Sequence, residues 1–228
     1  MATVPVDGAM GTTLQNRGLP PNTAADGWVR ERPDEVAAVH EAFVARGARV
    51  LRTATLCSRA DPDLLAQGVS LARSAGPDEV WLSVGPVGPA RSPTDDLDAA
   101  LAAGGDRILL ETFVSPTELV AAARWLASRG ARVVASLVPG PDGLLADAPY
   151  PAAELREAGV EVLGLNCGAD PTHALDAWRR YRDDGPWLVA PAWGPALPDV
   201  WRQLVGEVAF LGGCCGVDPA RWEAAWPR

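Results

Sequence analysis

Three cysteines are spaced so that their thiols could act together. Cys214 and Cys215 are adjacent within Gly212-Gly213-Cys214-Cys215-Gly216, directly after the apolar run Val208-Ala209-Phe210-Leu211. That order places two thiols where a buried strand gives way to a loop that can bend freely. Cys167 follows a similar run, 160–165, within Asn166-Cys167-Gly168. If both runs are neighbouring parallel strands that end on one face, the three sulfurs converge. Three thiolates with a fourth position open describe a catalytic zinc site. Small core cysteines or a vicinal disulfide remain open as alternatives, because no Cys-x-x-Cys pair marks a metal site by spacing alone.

The elements that must position these thiols are readable as a rhythm. Short apolar runs near 4–6, 48–53, 80–84, 107–110, 132–137, 160–165, 187–190 and 208–211 alternate with amphipathic segments. In the first such segment Val36, Val39, His40, Phe43 and Val44 share one helical stripe. Ser115-Pro116-Thr117-Glu118 reads as a capping box with proline at the first helical position. Ser92-Pro93, Asp170-Pro171 and Asp218-Pro219 repeat the cap-then-proline start. About eight strand–helix units without interruption predict an α/β chain, a single closed (β/α)8 TIM barrel over residues 1–228. A doubly wound open sheet is the alternative, since periodicity does not show closure.

Composition narrows the classes of function. A chain of 228 residues that is 48% hydrophobic can build one sizeable core. Its net charge of -9 argues against an electrostatic nucleic-acid binder. Every basic residue is arginine, so Schiff-base chemistry on lysine is excluded. No apolar run reaches membrane-spanning length. Four cysteines without a signal peptide suggest a reducing cytoplasm, where thiol clusters bind metals or do chemistry more often than they cross-link.

A barrel carries its chemistry on the loops after the strands. Asp7-Gly8-Ala9-Met10-Gly11, Thr53-Ala54-Thr55, Gly85-Pro86, Glu111-Thr112, Asn166-Cys167, Trp193-Gly194 and Cys214-Cys215 would then share one rim. Acids and thiols on one face suit a small substrate with both an ammonium and a thiol. Asp7 and Glu111 would accept from the amine while a metal takes the sulfur. Backbone amides of the Gly8, Ala9, Met10 and Gly11 turn would hold a carboxylate. The plain alternative for Asp7 is a turn residue before glycine.

Taken together, Asp-Gly-Ala-Met-Gly-Thr near the start, the 33–55 segment with Val39-His40 and Gly47-Ala48, Gly85-Pro86, Leu110-Glu111-Thr112, Gly164-Leu165-Asn166-Cys167 and the Gly-Gly-Cys-Cys-Gly run resemble the homocysteine S-methyltransferase family. The matches run in family order from end to end. The resemblance implies a zinc-dependent enzyme that methylates homocysteine to methionine, with zinc on Cys167, Cys214 and Cys215. It implies that Asp7 and Glu111 hold the amino acid part of homocysteine, with Gly8 to Gly11 near its carboxylate. The donor implied is a sulfonium such as S-methylmethionine or S-adenosylmethionine, since no cobalamin or folate module is present. A barrel that binds zinc and a thiol without transferring methyl by itself, or a methyltransferase for another thiol, is the alternative.

The donor side departs from that pattern. Thr53-Ala54-Thr55-Leu56 stands where relatives commonly carry Asn and an aromatic, and Ala190-Pro191-Ala192-Trp193-Gly194 replaces a Tyr-Pro-Asn-Gly-like turn. The connections between strands two and three, and three and four, are short. Losing rim loops should open the site or leave it to be completed by another subunit or partner. Trp28 and Trp193 are candidates to stack on a cationic methyl group. With nine tryptophans in the chain, most must instead pack helices on the barrel. His40 and His173 are expected to be packing or surface residues; Cys57, close behind the second strand, could approach the site, but the expectation is a spare buried thiol.

Overall fold

In the computed structural model, residues 2–58, 60–87, 92, 94, 97–141, 149–185 and 187–227 are described. Eight parallel strands form one sheet: β1 (Val4–Pro5), β2 (Val50–Arg52), β3 (Glu79–Val84), β4 (Arg107–Phe113), β5 (Val133–Leu137), β6 (Val162–Cys167), β7 (Trp187–Pro191) and β8 (Phe210–Leu211). Spatial order follows chain order from β2 round to β8 and then β1. A parallel bridge between Val6 and Val50 joins β1 to β2 and closes the barrel. The eight apolar runs are therefore the eight strands of a single (β/α)8 barrel.

The helices are α1 (Met10–Gln15), α2 (Gly27–Glu31), α3 (Pro33–Val44), α4 (Pro62–Ser74), α5 (Leu97–Ala102), α6 (Pro116–Ala127), α7 (Ala152–Glu157), α8 (Pro171–Tyr181), α9 (Leu197–Leu204) and α10 (Pro219–Ala225). Side chains of Ser115, Asp170 and Asp218 accept from the first-turn amides of α6, α8 and α10, as their cap-then-proline sequences predict. Asp61 caps α4 in the same way. The capping box at Ser115 is only half made. Glu118 accepts instead from the Val87 amide at 3.0 Å, so its side chain ties α6 to the segment after β3. Pro93 lies outside the described residues, and the helix of that stretch begins at Leu97.

Two hydrophobic layers result. The outer layer packs the helices on the sheet and holds Trp28, Trp178, Trp187, Trp201 and Trp222. The inner layer fills the lower barrel with Val6, Val50, Trp81, Leu109, Val134, Val162, Leu188 and Ala190. Below it, Arg107 pairs with Glu79 and Glu161, and its guanidinium lies 5.5 Å from the Trp81 and Phe210 ring centres. This end of the barrel is thus plugged by packing and charge. One step up the same inward-facing positions turn polar, with Arg52, Ser83, Glu111, Ser136 and Asn166 all buried. Strand period accounts for the switch, since residues two apart face the same side: the step is two residues on β2 to β5 and four on β6, where Gly164 lies between Val162 and Asn166.

Candidate active site

β6 ends at Cys167, and the loop after β8 carries Cys214 and Cys215 across from it. Their sulfurs all lie within 4.8 Å of one another, and Cys167 Sγ is 3.5 Å from Cys215 Sγ. The loop is pinned by backbone bonds. The Cys214 amide donates to Pro191 O, the Gly213 amide to Asp7 O, and Cys215 O accepts from the Trp193 amide. Gly213 cannot carry a side chain here, since a Cβ would meet Val217 Cβ at 2.5 Å. Cys167 itself sits at a φ of 63°, a left-handed conformation that costs a non-glycine residue about 1 kcal/mol or more. Three sulfurs held this way could bind a metal ion.

The thiols also shape one another's acidity. Cys215 is pulled down to about 3 because the thiols of Cys167 and then Cys214 donate to its sulfur. Cys167 is pushed up because its thiol is held as a donor to Cys214 and Cys215, and burial adds to this. Cys214 is lowered by donation from Cys167, but its own donation to Cys215 and its burial outweigh that and raise it.

Beneath the sulfurs, Asn166 is a junction. Its Oδ1 accepts from the Thr112 amide at 3.1 Å and from Ser136 Oγ at 2.6 Å. Its Nδ2 donates to Thr112 Oγ1 at 2.8 Å and lies 3.7 Å from Cys214 Sγ. Thr112 also has a positive φ, 65°, where the β4–β5 register shifts between Leu110 and Phe113. One amide side chain thus holds β4, β5, β6 and the cysteine loop in relation.

A cavity of about 330 Å³ opens above these groups. Glu111, Arg52, Ser83, Thr112 and the three cysteines line its floor side, and residues of the 8–12, 24–26 and 53–57 segments form its walls. The sequence model for homocysteine S-methyltransferases matches residues 5–224. This chain belongs to the homocysteine S-methyltransferase family.

The family is one of methyltransferase enzymes, and this chain is such an enzyme. The homocysteine methyltransferase MmuM from Escherichia coli, in its apo form, is similar at 28% identity with a TM-score of 0.82, over 99% of this chain and 95% of that chain. Its metallated form matches at 26% identity with a TM-score of 0.82 and the same coverage. A type I 3-dehydroquinate dehydratase from Clostridium difficile, at 9% identity and a TM-score of 0.62 over 93% of this chain and 84% of that chain, shares the fold alone. No curated protein matches the sequence.

The structure distributes the other candidate residues unevenly around the homocysteine methyltransferase cavity. Asp7 is 1% exposed and lies beneath the floor, while Glu111, 7% exposed, reaches the cavity. Between them stands Arg52, a residue that carried no signal in the sequence pattern. Its Nε donates to Asp7 Oδ1 at 2.7 Å and its Nη1 to Glu111 Oε1 at 2.6 Å. The Arg52 amide donates to Asp7 Oδ2, and Ser83 Oγ donates to Glu111 Oε2. Burial pushes the Asp7 carboxyl up to about 6 against the pull of Arg52.

Gly8, Met10 and Gly11 do line the cavity, but Met10 and Gly11 open helix α1, whereas the sequence suggested a glycine-rich turn. Within the helix Thr13 Oγ1 donates back to Ala9 O, and the Ala9 amide anchors the helix start on Val217 O. Trp28 packs in the outer core, with Arg32 5.1 Å from its ring centre, and Trp193 lies under Arg221 at 4.7 Å. Neither is among the residues that line the cavity. Thr53 and Thr55 are tied to each other and to Ser83, so they serve the wall's backbone. Cys57 is not the buried spare thiol expected of it. It is exposed and lines the cavity, because its amide is drawn to Asp26 Oδ2 at 2.7 Å. His40 is a buried packing residue, and the described residues offer neither of its ring nitrogens a partner.

Proposed function

We propose that this chain, read as one barrel domain over residues 1–228, is a zinc-dependent S-methyltransferase that makes methionine from homocysteine. The observation that carries the reading is the convergence of Cys167, Cys214 and Cys215 in the lining of a cavity in a chain of this family. The donor set suits zinc. Zinc–sulfur bonds of about 2.3 Å set tetrahedral thiolates about 3.8 Å apart, so sulfurs 3.5 Å apart at Cys167 and Cys215, and all within 4.8 Å of one another, need only small adjustment. When bound, zinc would supply acidity, holding an entering thiol as thiolate near neutral pH, where a free thiol with a pKa of about 8.5 is mostly protonated.

The chain's own residues would do the rest. Asn166 fixes the relation of Cys214 to β4 and β6, and Glu111 and the first turn of α1 bound the space for the amino acid portion. Ala54 and Leu56 give the cavity an apolar stretch of wall. A sulfonium donor, S-methylmethionine or S-adenosylmethionine, fits the chemistry: the acceptor sulfur forms the new carbon–sulfur bond as the donor's carbon–sulfonium bond breaks, and a neutral thioether leaves. No described helix is long and apolar enough to cross a membrane, and we place the enzyme in the cytoplasm.

One observation favours the second reading, a barrel that binds zinc and thiol but needs a partner subunit, its own copy or another protein, to transfer methyl. Among the described residues no aromatic ring lines the cavity, so a cationic methyl group lacks the face that would attract it. Methionine formation by the purified zinc-loaded chain decides between them, with homocysteine and, separately, S-methylmethionine, S-adenosylmethionine, betaine and methyltetrahydrofolate. Turnover with one donor, abolished in Cys215→Ala, is the expected result. No turnover with any donor, with homocysteine still bound, would select the second reading.

A further inference from the structure

We propose that the Asp26 carboxylate selects a cationic methyl donor, by leaving on the cavity wall one uncompensated negative charge that the donor's sulfonium neutralises. The inference rests on the methyl-transfer reading above and deepens it by naming a residue that sets the charge class of the donor.

Asp26 stands just before α2, is 5% exposed and lines the cavity. Its Oδ2 accepts from the Cys57 amide at 2.7 Å, which joins the 24–26 wall segment to the one after β2. Ser58 also donates to it. These partners are neutral, and among the described residues no arginine or histidine forms an ion pair with this carboxylate. The other acid and the one arginine among the described lining residues, Glu111 and Arg52, pair with each other at 2.6 Å. Arg52 also serves Asp7, so it holds no charge in reserve for Asp26.

Pinning the Cys57 amide does not call for a charge. An asparagine oxygen would accept the same bond, whereas an ionised carboxylate this deeply buried is costly unless a cation meets it. A sulfonium in the cavity is such a cation. It has no N–H to donate, so what attracts it is a negative field, and Asp26 keeps that field because only neutral groups bond to it. Ala54 and Leu56, in the wall segment that carries Cys57, offer apolar contact to the methyl groups. Charge here does what an aromatic face would otherwise do.

Two probes of one shape separate charge from size: dimethylsulfonioacetate, and 3-methylbutanoate, in which C–H replaces the sulfonium sulfur. Calorimetric titration of the zinc-loaded full chain should show the sulfonium bound roughly tenfold more tightly. Asp26→Asn, which keeps an acceptor for the Cys57 amide, should bring the ratio near one while 3-methylbutanoate affinity stays within about twofold. Equal binding of the two probes by the native chain, or binding of neither, would overturn the inference. A preference that survives Asp26→Asn and falls in Glu111→Gln would move charge recognition to Glu111 and overturn it as well. If Asp26→Asn does not fold, Asp26→Glu, whose carboxylate sits one methylene further out, must change the ratio, and an unchanged ratio would remove the assignment. Methionine formation from homocysteine and S-methylmethionine reports the methyl-transfer reading separately. Turnover without a probe preference would sink the Asp26 assignment alone, and a charge preference without turnover would sink the methyl-transfer reading of the isolated chain alone.

Discussion

Replacing Arg52 with methionine should destabilise the barrel by an amount that depends on pH. The side chain is buried, touches both acids within 2.7 Å and donates to the carbonyls of Gly8 and Gly213. Breaking a buried ion pair from one side costs about 3–5 kcal/mol, because the remaining charge has neither partner nor water. Asp7 sets the pH dependence. Its folded value of about 6 lies above its ordinary 3.8, so the folded state holds the extra proton between those values. The stability this proton contributes is complete below about pH 4 and is lost as pH rises through 6. Without the guanidinium the folded value moves higher and the loss continues to higher pH, at up to about 1.4 kcal/mol per pH unit for one proton. The penalty of Arg52→Met should therefore be largest near pH 8 and shrink by more than half near pH 5. Urea unfolding of both chains from pH 5 to 8, reduced and with chelator present, measures it, and Asp7→Asn in the same chain should recover part of the loss at pH 8. A penalty equal at both ends of that range, or below about 1 kcal/mol at pH 8, would refute the view that Arg52 compensates buried acids.

Asn166→Ala should weaken metal binding by about 10- to 100-fold in competition with a chromogenic chelator, because the groups that orient ligands matter nearly as much as the ligands. Affinity unchanged with the fold intact would mean that the cysteine loop holds its geometry without the amide. His40, held down at about 4 by burial, should cost stability in acid. Its contribution is complete above about 6.5 and is lost as pH falls toward 4, amounting to about 3 kcal/mol, and His40→Leu should flatten that limb of the pH–stability curve. An acid limb of the same depth in the variant would place its origin elsewhere.

How much of this was legible depended on whether a signal lay along the chain or across it. Strands and caps lie along it. Val208-Ala209-Phe210-Leu211 and the 160–165 run predicted β8 and β6, and Ser115, Asp170 and Asp218 marked three helix starts that the structure contains. The cysteines were legible for the same reason, since each follows a run whose end is its address. Arg52 was not, because a charged residue in a three-residue strand reads as an exposed position until its register against Asp7 and Glu111 is known. The Glu118 contact to Val87 likewise crosses from α6 to the loop after β3, and a local capping rule cannot see it. Trp28 illustrates the converse. A tryptophan near a family motif suggested a ligand face, and helical packing claimed it for the outer core.

The barrel interior explains why a short chain can hold such a site. Inward positions near the base are apolar and sealed by Trp81, Phe210 and the Arg107 ion pairs, so the lower half behaves as a hydrophobic core. The next inward positions carry Arg52, Ser83, Glu111, Ser136 and Asn166, whose polar groups bond to one another across the barrel. That satisfied network is what lets polar groups stay buried, and it forms a rigid floor. Positive-φ backbone at Thr112 and Cys167 then becomes tolerable, because Asn166 grips Thr112 by both backbone and side chain and Cys167 follows it directly. The three thiols rest on the end of β6 and on one loop pinned by backbone bonds to Asp7, Pro191 and Trp193, so their arrangement is built from the barrel itself.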